Sequence, residues 1–173
     1  MQIFSIIILL ILSVFIVISV ANRVKRIYEY NLIIEKCSQQ FSLDKGLIFG
    51  VIKAESNFNP NAKSSKNAYG LMQVKVETFN YVCQLYGFKF SKEQIYEPEV
   101  NILIGCAYLK YLFDKFKTQN EVLSAYNAGE GNVKTWLSNK NYSKNGLTLD
   151  IIPYKETNIY VKKVNKYQKF YKR

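Results

Sequence analysis

Ala54-Glu55-Ser56-Asn57-Phe58-Asn59-Pro60, followed by Gly70-Leu71-Met72-Gln73, is the stretch whose reading decides the rest of this chain. Just upstream, Leu47, Ile48, Val51 and Ile52 recur at helical spacing, and Glu55 falls four residues after Val51 and three after Ile52. One carboxylate therefore ends a short helix on the face that should be buried. Burial away from a cation disfavours the charged form, raises the pKa and lets a carboxyl hold a proton near neutral pH. That is the requirement for a general acid. An isolated helix-end glutamate more often caps its helix or pairs with a lysine, so the surrounding pattern must decide. The segment behind it, from Asn57 to Tyr69, is rich in Asn, Ser and Lys, contains Pro60 and reads as a loop.

The chain of 173 residues suits one domain beyond its N-terminal segment. It contains 0 histidines, which removes Ser-His-Asp and Cys-His catalysis, the His-bearing zinc motifs and a histidine base. Carboxylates, lysines and tyrosines are left for acid–base work. The formal charge of +11 implies an anionic partner or surface, such as a wall polymer, lipid headgroups or nucleic acid. Lys155, Lys162, Lys163, Lys166, Lys169 and Lys172 crowd the C-terminal end, where a solvated helix face explains them equally well. Cys37, Cys83 and Cys106 show no CxxC spacing and hence no readable metal site. Cys83 and Cys106 sit in apolar helical patterns as small packing residues. One disulfide is open to the three thiols in an oxidising compartment, and the pair cannot be chosen from sequence.

Ile3 to Ala21 is apolar apart from Ser5, Ser13 and Ser19. As a helix it would reach about 28 Å, close to the roughly 30 Å hydrocarbon thickness of a bilayer. Residues 1–22 therefore read as a transmembrane anchor, with 23–173 as the folded domain. A signal peptide cleaved after Ala21 is the second reading, because Ser19-Val20-Ala21 has the form of a cleavage site. Against it, Met1-Gln2 carries no basic side chain and the apolar run is long. Arg23, Lys25 and Arg26 follow the run, and by charge bias alone they would hold the domain on the cytoplasmic side. The seven residues from Ala21 to the next helix span at most about 25 Å when extended.

The remainder reads as almost wholly helical. The pattern predicts a first helix from Tyr28 to about Gln40, and a second running to Glu55 with Asp44 as its N-cap. A third covers Glu77 to Leu85. A long one begins at Pro98 and carries Ile102, Cys106, Leu109, Phe113 and Phe116 on one face. Short helices follow over Asn120 to Tyr126 and around Val133, Trp136 and Leu137, then a polar connection from Asn139 to Thr148. A last helix after Pro153 turns Tyr160, Val161, Val164 and Tyr167 inward. No β pattern, repeat or second domain is visible.

Glu55-Ser56, then Ser64, Ala68 and Gly70-Leu71-Met72-Gln73, then Ala125-Tyr126-Asn127-Ala128-Gly129, then Glu156-Thr157 with Tyr160-Val161 occur in this order. Together they resemble the lytic transglycosylase (SLT-type) domain of the lysozyme-like superfamily, the group that cleaves bacterial peptidoglycan. The resemblance runs from about Tyr28 to Phe170. Each short motif is weak alone; four in order at compatible spacing are specific. The fold this implies is all-α, a lysozyme-like domain of the goose-type/transglycosylase kind, preceded by one N-terminal hydrophobic helix.

Ordinary glycosidases use two carboxylates, whereas no acid lies between Glu55 and Glu77. The resemblance implies that Glu55 alone protonates the bond between N-acetylmuramic acid and N-acetylglucosamine. It then takes the proton of the 6-hydroxyl, giving a 1,6-anhydro product without water, metal or cofactor. Carried over position by position, Ser64, Gly70 and Gln73 line the sugar groove. Gly70 would allow close backbone approach, and Gln73 would offer a donor and an acceptor. Tyr126 matches the tyrosine whose hydroxyl orients the acid, Asn127 follows it, and Glu156 matches a carboxylate closing the far side. The ordinary alternatives are a core tyrosine at Tyr126 and a first-turn helix acid at Glu156.

Two positions depart from the pattern. Asn67 stands where the family often has Gly, and Asn tolerates the left-handed backbone region. Lys75-Val76 replaces a common Met-Pro, which puts a cation near the groove. The partners implied are peptidoglycan glycan strands and the membrane, with the domain on the outer side of the cytoplasmic membrane despite the flanking charges. Wall turnover, an envelope-spanning secretion or conjugation machine and phage infection all remain open as settings. A hydrolytic lysozyme of the same fold and a non-catalytic envelope binder are the alternatives. A nucleic-acid binder is not expected, because the tyrosines fall mostly on apolar helix stripes.

Overall fold

A computed structural model describes residues 2–171. Met1, Lys172 and the side chains of Gln2, Ile3, Ser5, Arg23 and Arg26, which entered the expectations above, lie outside the described residues. The elements are α1 (Gln2–Phe41), α2 (Lys45–Glu55), β1 (Ala68–Tyr69), β2 (Val74–Lys75), α3 (Val76–Tyr86), a 3₁₀ segment (Lys92–Tyr96), α4 (Pro98–Lys115), α5 (Gln119–Ala128), α6 (Glu130–Leu137) and α7 (Lys155–Tyr171).

The expectation of a separate first helix from Tyr28 is corrected: α1 runs unbroken from Gln2 to Phe41. Its sequence contains neither Gly nor Pro, so nothing interrupts the backbone ladder between the apolar run and the domain. Phe4, Leu9, Phe15, Val17 and the other apolar side chains from Ile6 to Val20 are exposed all round, and an apolar stretch long enough to cross a membrane begins at Ile6. The helix enters the protein core at Tyr30, then buries Ile34, Cys37 and Phe41, one stripe at three- and four-residue spacing.

The domain is built around α4, whose Ile102, Ile104, Cys106, Ala107, Leu109 and Leu112 are fully buried. It packs against α1, α3 and α5. Pro98 occupies its first turn, where a missing N–H costs nothing. Asp44 caps α2 as expected, its Oδ1 accepting from the Leu47 N–H at 2.9 Å. Along most of its length α2 lies against α7. Gly50 makes that approach close: a Cβ there would stand 3.0 Å from the Val164 carbonyl. The polar connection between α6 and α7 is tied down by buried Glu121, which accepts from the Leu149 N–H at 2.9 Å and from the Thr118 hydroxyl.

A second correction concerns β structure, which the sequence did not suggest. β1 and β2 pair antiparallel, Ala68 with Lys75 and Tyr69 with Val74, and a bridge from Lys63 to Tyr69 extends the edge. Strands of two residues carry no alternation to read. The turn between them puts Gly70 at φ 74° and Gln73 at φ 49°. The Asn67 departure fits: its φ of 53° is left-handed, a conformation Asn accepts.

Candidate active site

Asn101 holds the hairpin in place from beneath. Fully buried in α4, it accepts from the Met72 N–H at 2.8 Å and donates to the carbonyls of Tyr69 (2.9 Å) and Ile95 (2.6 Å). Every polar atom of its amide that can reach the turn is used, so the Gly70–Gln73 turn has one position relative to α4. Gly70 is the cost of this clamp. A Cβ at residue 70 would lie 2.4 Å from the Asn101 Nδ2. The close approach that Gly70 permits is thus to Asn101, and the residue sits beside the cleft rather than among those lining it.

The cleft itself encloses about 240 Å³ between the end of α2, the hairpin, α3, α4, α5 and the start of α7. Of the expected site residues, Glu55, Ser64, Gln73, Tyr126, Asn127 and Glu156 all line it. Lys75 lines it too, as its departure from the family pattern suggested.

Glu55 comes off the last turn of α2. Burial is the largest influence on its carboxyl and pushes the pKa up to about 7. Tyr160 and the Lys163 cation pull it down, and Glu156 adds to the rise. The residue as a whole keeps some exposure toward the cleft while its carboxyl is largely desolvated. The Tyr160 hydroxyl is buried and makes no hydrogen bond of ordinary geometry among the described residues. It lies close enough to Glu55 to act on its proton affinity.

Tyr126 differs from expectation in its hydrogen bond. Its hydroxyl donates to the Met72 carbonyl at 2.8 Å, so that proton is not aimed at Glu55. Its oxygen is left with lone pairs that can accept from a protonated Glu55. The same phenol, buried and near Glu55, is pushed well above its usual pKa and stays neutral. Gln73 likewise spends its amide donors on the loop, giving hydrogen bonds to the carbonyls of Ala62 (3.1 Å) and Gly70 (3.0 Å). Ser64 accepts from the Ala68 N–H at 3.1 Å. Asn127 accepts from the Thr157 hydroxyl at 2.8 Å, joining α5 to α7 across the cleft wall. Glu156 stands exposed at the rim, where Lys66 Nζ reaches both of its oxygens at 3.1 Å.

Several contributors escaped the sequence reading. Tyr108, Lys66 and Val74 line the cleft and Asn101 supports it from behind, as does Thr157, which belongs to the last sequence motif but takes no role from it. Tyr108 occurs in an apolar α4 stripe that gives no hint of a pocket; burial, then Glu130 and Tyr81, pushes its phenol up to about 12.

The geometry leaves one desolvated carboxylic acid in the cleft, a neutral tyrosine beside it and a second acid neutralised at the rim. The family profile of the transglycosylase SLT domain matches residues 32–147. The chain belongs to the lytic transglycosylase SLT family. The match takes in Glu55 through Asn127 and stops short of Glu156 and Tyr160. Among relatives of this SLT chain, the soluble lytic murein transglycosylase of Escherichia coli is 33% identical over 83% of this chain and 23% of its own length. The membrane-bound lytic murein transglycosylase C of Sodalis glossinidius is 33% identical over 86% and 48%. The SLT chain thus spans about a quarter to a half of these relatives. In three dimensions it is similar to the 70 kDa soluble lytic transglycosylase of Escherichia coli, with a TM-score of 0.72 and 30% identity over 82% of this chain and 24% of that one. An inactive variant of the Pseudomonas aeruginosa Slt enzyme gives 0.71 and 31% over 80% and 23%. The fold is the all-α lysozyme-like SLT fold.

Proposed function

We propose that this chain is a membrane-anchored lytic transglycosylase that cleaves the β-1,4 bond from N-acetylmuramic acid to N-acetylglucosamine in peptidoglycan. The observation that carries the reading is Glu55, a desolvated carboxyl with a pKa near 7 that faces a polar cleft. A group titrating there can donate a proton and later accept one at the same pH. Glu156 is poorly suited to a second catalytic role, since it is exposed and tied to Lys66.

The proton balance closes on Glu55 alone. Its acid form protonates the glycosidic oxygen as the bond from that oxygen to the muramoyl C1 breaks. The 2-acetamido oxygen supports the cationic C1. The Glu55 carboxylate then removes the proton of the C6 hydroxyl while O6 bonds to C1, which yields the 1,6-anhydro sugar and restores the acid. Tyr126, its hydroxyl donating to the Met72 carbonyl, stays neutral beside Glu55 and leaves the Glu55 proton free for the glycosidic oxygen. Ser64, Gln73, Asn127 and Lys75 offer polar contacts to the acetamido, hydroxyl and lactyl groups. The scheme asks for no metal or cofactor.

The apolar part of α1 supplies a single membrane pass, and residues after it form the catalytic domain on the wall side. Digestion of purified sacculi by the detergent-solubilised chain, followed by mass spectrometry of the released muropeptides, tests the chemistry. Anhydro ends are expected. Reducing ends alone would make the chain a hydrolase.

A further inference from the structure

The lysines of α7 take no part in the proposed chemistry, yet they share one face. Lys155, Lys162, Lys166 and Lys169 follow one another at spacings of seven, four and three residues. All are exposed, on the side opposite the buried Thr157, Tyr160, Val161 and Val164. Lys163 flanks them, its Nζ donating to the Ala54 carbonyl at 3.1 Å. The other four have no ion pair or hydrogen bond among the described residues. Glu156 is the single acid of α7, and Lys66 already holds it. The result is an acid-free cationic stripe about 21 Å long. It begins at the rim of the cleft, since Lys155 adjoins the cleft-lining Glu156.

A merely solvated helix face intersperses charges of both signs, whereas here like charges stand at i,i+3 and i,i+4 and oppose the helix. Lys155 adds to the cost by standing at the positive end of the helix dipole. Such a row is relieved by an external polyanion bound along its length. The lipid headgroups around the anchor are badly placed for this. Gln168 donates to Asp44 at 2.8 Å, so the far end of the stripe lies beside the end of α1. With α1 standing on the bilayer, that point is about 30 Å along the helix from Ala21, roughly three screening lengths at 0.1 M salt. Ile159 and Phe170 are exposed on the same face but about 16 Å apart along the axis. They are too sparse for the continuous apolar edge of a helix lying in a bilayer.

We propose that this stripe binds the carboxylates of the peptide stems carried by the muramoyl residues of peptidoglycan. This rests on the transglycosylase reading and extends it: a strand seated at Glu55 presents its stems in a row beyond the cleft, where the row of lysines begins. The cleft holds the sugars and the stripe holds the stems. It thereby sets a preference for stem-bearing over stripped strands without touching the reacting atoms.

The test uses the full chain with Glu55→Gln to prevent turnover, reconstituted in nanodiscs of phosphatidylcholine. Soluble glycan strands with their stems, and the same strands stripped by an amidase, are titrated against it. The stemmed strands should bind more tightly. Lys162→Gln/Lys166→Gln/Lys169→Gln should lower their affinity about tenfold and leave that of stripped strands unchanged. Lys162→Arg/Lys166→Arg/Lys169→Arg should keep the preference, and about 1 M salt should abolish it. Equal losses on both kinds of strand, or no preference in the parent, would overturn the stripe while the cleft reading stands. No binding of either strand would remove both. Amine-reactive labelling of the three lysines decides between partners. Protection by stemmed strands is expected; protection by phosphatidylglycerol added to the discs, without strands, would give the face to lipid and overturn the proposal.

Discussion

In the proposed reaction Glu55 serves as an acid and then as a base within one turnover, and the side chains around it set how far each job is supported. Burial raises its pKa from 4.5 to about 7. For a carboxyl with a raised folded pKa, the folded state holds the proton more tightly than the unfolded chain. Its favourable contribution is therefore complete below about pH 4.5 and is lost as pH rises through 7. Glu55→Gln removes that dependence. The melting-temperature advantage of the Gln variant over the parent should grow between these pH values and level off above them, and a constant offset would mean an unshifted carboxyl. Activity of the variant should fall at least about a hundredfold, and the parent's kcat/KM should decline as Glu55 loses its proton above neutral pH. Much at this scale was legible. The position of Glu55 on an apolar helix face already implied a raised pKa, and the order of motifs led to Tyr126 and Asn127. What could not be read was the direction of each hydrogen bond. Tyr126 donates to the Met72 carbonyl and Gln73 to its own loop, because the nearest acceptors come from a turn whose shape no motif encodes.

At the scale of elements, the hairpin and α4 form one unit through Asn101. Its sequence neighbours Val100 and Ile102 are core residues, so the polar side chain looks like an accident of an apolar helix until its partners at Tyr69, Met72 and Ile95 are seen. Asn101→Ala would strand two carbonyls and one N–H, a loss of about 3 kcal/mol or more in denaturant unfolding. Gly70→Ala should also destabilise, through its left-handed backbone and the clash with Asn101. The double variant should lose less than the sum, since removing the Asn101 amide vacates the space that the new methyl needs. Strict additivity would show the two positions to be independent.

The same scale settles which cysteines meet. Cys37 on α1 and Cys106 on α4 are both buried and close enough for each thiol to act on the other's proton affinity, whereas Cys83 lies apart near Phe90. All three are free thiols. Oxidative refolding should leave one titratable thiol in the parent, none in Cys83→Ser and two in Cys37→Ser. A pairing that involves Cys83 would contradict the packing of α1 against α4. Sequence could not choose the pair because it depends on the facing of two helices far apart in the chain.

For the whole molecule, the helical architecture and the apolar run were both evident from periodicity, but the junction between them was not. Separate segments joined by a tether were expected; the absence of Gly and Pro instead makes one continuous rod. From Ala21 to Tyr30, where the rod enters the core, the rise is about 14 Å. A rod transmits torque as well as distance. Each residue added between Ala21 and Ile27 turns the domain about the helix axis by about 100° and lifts it by about 1.5 Å. With the apolar end fixed in a bilayer, the compass bearing of the cleft becomes a function of residue count. A two-residue insertion should swing the cleft by about 200° and reduce wall digestion by membrane-reconstituted protein. Seven residues bring the bearing back to within about 20° at greater height and should restore much of it. All of these variants should digest soluble glycan strands equally well in detergent. Activity that falls steadily with insert length, without this periodicity, would mean that the rod swivels at the membrane surface and acts only as a spacer.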